Sequence, residues 1–257
     1  MDRRLGGGKP CQSAWGPLNT RNRKTMNEYE TYSRPAAVGE LESQARGTFV
    51  SRTYGHLFGA VMLFMLIEIC LFKSGLAPKL AQSMLGVSWL LVLGGFVVVS
   101  WLASRVAHSA ASKPAQYAAL IAFVVAEAII FIPLLYIADI RAPGTITSAA
   151  AVTFLGFSGL TAVVFVTGKD FSFLRGILMW GGIVALCLIV AGVIFGFQLG
   201  TFFSVAMVAI AGAAILYDTS NVLHHYPEDR YVAAALQLFA SVALMLWYVL
   251  RLLSDRR

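Results

Sequence analysis

Charge is what this chain has least of: 13% of its 257 residues are Asp, Glu, Lys or Arg, against 58% hydrophobic residues and a mean hydropathy of +0.72. That is too little polar surface to cover a soluble globule, so the apolar excess must face lipid. Cysteine is also scarce. Cys11 lies in a polar N-terminal stretch and Cys70 and Cys187 lie inside apolar segments, which excludes a disulfide framework and leaves them as ordinary small residues. Of the four histidines, His56 falls at the end of an apolar run and His108, His224 and His225 fall in connections, so none stands at mid-membrane depth. No HExxH metalloprotease string, P-loop or dinucleotide fingerprint occurs. The residues before Thr48 hold no apolar run, so no cleavable signal peptide of the usual form is expected and the first span would serve as the targeting signal.

The net charge of +7 comes from basic residues in the N-terminal stretch and the short loops. That is a pattern of membrane topology rather than of nucleic-acid binding. Residues 1–50 are rich in Gly, Ser, Asn, Arg and Glu and are expected to be a disordered tail, with Met26 as an alternative start. Residues 51–257 then divide into runs long enough to cross ~30 Å of hydrocarbon as helices. The runs are Tyr54–Phe72, Met84–Leu102, Tyr117–Ile137, Ile146–Val166, Gly176–Phe197, Thr201–Tyr217 and Val232–Leu253. The pattern predicts an all-α integral membrane protein, a seven-helix bundle behind a polar tail. Gln198, Leu199 and Gly200 alone separate the fifth and sixth spans, which predicts a tight hairpin.

Arg46, Arg52, Arg105, Lys113, Lys169, Arg175 and Arg230 fall on the tail side of this topology, and Lys73, Lys79 and Arg141 fall opposite. The excess places the N-terminus in the cytoplasm. Arg251, Arg256 and Arg257 pull the other way, so either the last segment is re-entrant or the early spans outvote it. Small residues at Gly94-Gly95, Gly156 with Gly159, Gly181-Gly182 and Gly212 read as points of close helix approach.

Gly156-Phe157-Ser158-Gly159 spells the string of rhomboid-type intramembrane serine proteases, but no histidine base stands at its depth, so it reads as packing. His224 and His225 with Glu228 and Asp229 have the residue types of a metal site, and as adjacent loop residues they read as solvated. The acids within the spans carry more weight, because a charge at depth is expensive unless it is neutralised, paired or wetted. Glu127 lies mid-span and is the leading candidate for a functional acid. Glu68 and Asp218 lie toward the ends of their spans, where each has an interfacial reading as well as a functional one.

Several strings together resemble the Bax inhibitor-1 family over residues 46–253. They are Thr53-Tyr54-Gly55-His56-Leu57-Phe58-Gly59, Ala126-Glu127 ahead of Pro133, Gly168-Lys169-Asp170-Phe171-Ser172 and Tyr217-Asp218-Thr219-Ser220. The resemblance implies a seven-helix bundle with the last helix near its centre. It also implies a pH-sensitive calcium leak, described for some members, or modulation of cell death or of a membrane protease, described for others. In leak-competent members two aspartates act with an arginine near the end of the second span. Asp218 matches the first aspartate and Ser241 occupies the place of the second, while Arg105 is the candidate for the arginine, with the cytoplasmic boundary of the second span as its other reading. Two neighbouring carboxylates titrate as a coupled pair, whereas a serine removes the like charge and donates a hydrogen bond instead. The chain is therefore expected to be a non-enzymatic ion-leak or ion-homeostasis protein with altered pH sensing. It would need no cofactor, with calcium as the ion carried and a cytoplasmic or internal membrane as its site. The alternative is a non-conducting regulator that binds a membrane protein.

Overall fold

The computed structural model describes residues 37–109 and 112–255. The expected tail through residue 36, with Cys11 and Met26, lies outside the described residues, as do Arg256 and Arg257. After a short 3₁₀ turn at Val38–Glu40 come α1 (Ser43–Lys73), α2 (Leu76–Leu85), α3 (Trp89–Ser109), α4 (Lys113–Arg141) and α5 (Thr145–Thr167). They are followed by α6 (Leu174–Phe195), α7 (Gly200–His224), a 3₁₀ turn at Glu228–Arg230 and α8 (Tyr231–Ser254). Among the described residues, seven helices are long and apolar enough to cross a membrane, all of these except α2. The fold is the expected all-α bundle.

Three boundaries differ from the hydropathy reading. The first helix begins at Ser43, inside the expected tail, because its first two turns pack Phe49 into the core. Met84 and Leu85 belong not to a span but to α2, a ten-residue helix that buries Ala77 and Ala81 against Ile132 and exposes Leu76, Leu80 and Lys79. At ~1.5 Å per residue it is about 15 Å long, too short to cross, and its one-sided pattern suits the membrane boundary. The helix α7 runs on to His224 rather than ending at Tyr217, because Asp218, Thr219 and Ser220 are buried despite their polarity.

The last helix occupies the centre. Of its most apolar stretch 67% is buried, and 61% of that of α4, against 6–22% for the other five spans. Ala233, Ala234 and Ala235 are wholly buried near the start of α8, small enough for neighbouring backbones to come close where lipid offers no hydrophobic drive. Farther along, Leu238, Phe239, Ala243 and Leu250 complete the core face. Phe64 and Phe123 meet Phe239 edge-on, and Phe131 meets Trp247 edge-on, so α1 and α4 are keyed to α8 by aromatic contacts. Gly156 approaches Met245, Gly181 approaches Ile210 and Gly212 approaches Leu160 at the limit of contact, as packing glycines should, whereas Gly94, Gly95 and Gly159 face open space. The α6–α7 hairpin is as tight as expected and turns through left-handed backbone at Gly196 and Gly200, a conformation glycine adopts at little cost.

Two outcomes are expected. Ala234→Leu overpacks the centre and should lower stability by about 1–3 kcal/mol, whereas Phe202→Leu on the 93%-exposed lipid face should leave the melting temperature nearly unchanged; thermal unfolding in detergent compares them. With native cysteines replaced, Lys79→Cys should react with a membrane-impermeant thiol reagent in intact cells and Lys169→Cys only after permeabilisation, as the basic excess on the tail side requires. The reverse pattern would invert the topology.

Candidate functional site

Asp218 and Ser241 face each other across the α7–α8 contact, 2% and 5% exposed, and the Ser241 hydroxyl donates to Oδ2 of the Asp218 carboxyl. The two places singled out by resemblance are therefore brought together. Asp218 sits six residues inside α7, which removes its interfacial reading. A buried carboxyl is tolerable when it is hydrogen-bonded, and Ser241 supplies such a bond from the central helix.

The pair lies at one end of a cavity of about 1390 Å³ bounded by α3, α4, α6, α7 and α8. Among its lining residues none on α7 comes after Asp218 and none on α8 comes before Leu236, so on these two helices the space stops at the pair. Farther toward the C-terminal end of α8 the walls include Arg251, Ser254 and Asp255, together with Gln198 and Thr201 of the α6–α7 hairpin. Glu127 opens into the same space from α4. The Glu127 and Asp218 carboxyls, the Ser241 hydroxyl and the Gln237 amide thus share one cavity with Leu, Ile, Phe and Trp side chains.

Arg105 is not part of this group. It is exposed, and its guanidinium lies 5.2 Å from the centre of the Trp101 ring on its own helix. The arginine that lines the cavity is Arg251, ten residues beyond Ser241 and so about 15 Å farther along the axis at ~1.5 Å per residue. In the sequence it stood out only as a cation that disagreed with the positive-inside pattern, and that disagreement was the signal that it has a place inside the bundle. Glu68 is buried, with neither carboxyl oxygen hydrogen-bonded, so it does not reach the interface. Ser158 of the rhomboid-like string is exposed on the outer face of α5, while Gly156 beside it packs on α8.

His225 and the α5–α6 connection form a polar latch next to the site. The Phe171 backbone N–H donates to the Ser220 hydroxyl at 2.9 Å, and Ser220 donates onward to Asp170 at 3.3 Å. His225 Nε2 lies 2.9 Å from the other Asp170 oxygen, and the Ser172 hydroxyl donates to the carboxylate as well. The hydrogen bond from Ser172, with the help of His225, holds the Asp170 carboxyl well below the usual carboxylate range. Among the described residues no three His, Cys, Asp or Glu side chains converge as a metal site would require. The Lys169-Asp170-Phe171-Ser172 string thus ties the tail-side loop to α7 two residues beyond Asp218.

The family model described as inhibitor of apoptosis-promoting Bax1 matches residues 46–257. An uncharacterized protein of Pseudomonas aeruginosa is 40% identical over 100 residues, 38% of this chain and 44% of that protein. The modulator of FtsH protease YccA of Escherichia coli K12 is 37% identical over 98 residues, again 38% of this chain and 44% of the relative, and a second Escherichia coli strain has the same match under the name inner membrane protein YccA. The matched stretch is less than half the length of each of these curated relatives. With seven membrane-crossing helices among the described residues, the last of them the most buried, and the family model matched over most of its length, this chain belongs to the Bax inhibitor-1 family of multi-pass membrane proteins.

Proposed function

We propose that the protein is an ion-leak or ion-homeostasis protein, with the cavity as the route by which a cation such as calcium reaches Asp218. The observation that carries this reading is that Glu127, Asp218 and Ser241, from three different helices, line one cavity inside the bundle. Calcium takes oxygen ligands in flexible geometry, and two carboxyls with a hydroxyl and an amide offer the chemistry to attract it without holding it tightly. Weak holding is what conduction requires. The end of the cavity at the Asp218–Ser241 contact is the natural barrier, since the tail-side part of the bundle beyond it is filled by Val222, Leu223 and the Ala233–Ala235 run.

A second reading is supported by the Escherichia coli relative described as a modulator of FtsH protease: the chain would regulate a membrane protease by contact within the bilayer, without conducting. Liposomes loaded with a calcium dye and containing this protein alone separate the two. The leak reading expects flux above that of protein-free vesicles. The regulator reading expects none.

In the same vesicles Asp218→Asn should lower calcium flux roughly tenfold, about 1.4 kcal/mol, because the amide oxygen still accepts from Ser241 but the charge that attracts the cation is gone. Glu127→Gln should change flux with little loss of thermal stability, because the isosteric amide removes a charge and keeps the packing. Unchanged flux and unchanged stability in Glu127→Gln would make it a packed core acid instead. Ser241→Asp places a second carboxyl on Asp218, and two such groups share protons as a coupled pair. Its flux should depend more steeply on pH than the wild type between about pH 6 and 8, where isolated carboxylates do not titrate.

A further inference from the structure

A second concavity, about 480 Å³, lies between α1 and α4 on the outer face of the bundle, away from the α7–α8 contact. Its floor is open because α1 carries glycine at positions 55 and 59, where an added Cβ would meet nothing within 4 Å, and its walls are Leu63 and Ile121. At its tail-side mouth three basic side chains gather round one ring. The Arg52 guanidinium lies 5.7 Å and the Lys113 ammonium 4.3 Å from the centre of Tyr231, and the His56 ring lies 5.1 Å from it. His56 is fixed there: Nδ1 lies 2.6 Å from the Arg52 carbonyl and Nε2 lies 2.8 Å from the Tyr117 hydroxyl.

Among the described residues these cations have no anion of their own. The ion pairs found among the described residues are His225–Asp170 and Arg230–Asp229, and neither Arg52 nor Lys113 takes part. Lys113 spends one donor on the Asp229 backbone carbonyl and keeps two, and Arg52 brings a planar fork suited to phosphate. The depth fits a headgroup: Arg52 and Lys73 stand 21 residues apart on α1, about 32 Å at ~1.5 Å per residue, which matches ~30 Å of hydrocarbon. Below the cations, the apolar groove continues into the membrane.

We propose that this groove binds an anionic phospholipid of the tail-side leaflet, its phosphate held by Arg52 and Lys113 and one acyl chain laid along Gly55 and Gly59. Charge decides against the other natural occupant of a small-residue face, a second copy of the chain. A two-fold contact through α1 would set Arg52 against its own copy, whereas the singly charged phosphate of a lipid can accept hydrogen bonds from both cations.

Native mass spectrometry of the full chain, equilibrated with equal amounts of phosphatidylglycerol and phosphatidylcholine of identical acyl chains, tests this. The wild type should retain one phosphatidylglycerol in preference to phosphatidylcholine. Arg52→Gln with Lys113→Gln should reduce that retention roughly thirtyfold, two basic contacts removed. Gly59→Leu fills the groove without touching a charge, from a position where an added Cβ meets nothing within 4 Å, and it should also abolish the preference while the protein keeps its helical circular dichroism. Glycerol 3-phosphate should not compete. Equal retention of the two lipids by the wild type would overturn the proposal, as would a preference that survives both variants. Full competition by the tail-less phosphate, or a dimer mass that disappears in Gly59→Leu, would overturn it in favour of a free anion or of a second copy.

Discussion

A carboxyl group inside a lipid-embedded bundle is costly unless it is neutralised, wetted or hydrogen-bonded, and the way Asp218 meets that requirement organises the rest of the molecule. Its partner is the hydroxyl of Ser241 on the most buried helix, so α7 and α8 are held in register by a polar contact rather than by apolar packing alone. On the tail side of the contact the bundle is filled by small and branched residues. On the other side it opens into a cavity walled by five helices. The Asp218–Ser241 contact thus stands at the boundary between a packed half and an open half.

Two further features brace that boundary from outside. The α5–α6 loop is tied by Phe171 and Asp170 to Ser220, two residues after Asp218 on the same helical turn, so a movement of α7 near the site must pull on the Asp170–His225 latch. On the opposite flank, Tyr231 begins the central helix and is surrounded by Arg52, His56 and Lys113 at the level of the headgroups. An anion bound there would fix the start of α8, ten residues before Ser241. Loop, lipid boundary and polar pair are linked through the same two helices.

The spans were legible because hydrocarbon thickness imposes their length and composition, and the α6–α7 hairpin was legible from the few residues between two apolar runs. Hydropathy failed where burial and polarity disagree. Asp218, Thr219 and Ser220 look like the end of a span but are buried inside α7, and Glu68 looks interfacial but is enclosed. The short helix α2 was hidden because most of it, with Lys79, read as a connection and only its last two residues, Met84 and Leu85, read as the beginning of the next span. Among the site residues, Asp218 with Ser241 was found by resemblance, and Glu127 by the cost of an acid at depth. Arg105 lies outside the cavity, and it drew attention because any basic residue near a span end satisfies the topology rule, whereas Arg251 was passed over because it violates that rule. A periodicity argument sees one helix at a time, and the cavity depends on five.

The most direct measurement is the accessibility of the cavity to water. In proteoliposomes of protein whose native cysteines have been replaced, Ala240→Cys and Leu244→Cys line the cavity, and Ala234→Cys lies in the packed half. A small charged thiosulfonate should modify the first two from the side of the C-terminal end of α8 and leave the third unreacted from both sides. Protection of all three would mean that the cavity is filled by lipid and that the Asp218–Ser241 pair is not at the end of an aqueous path.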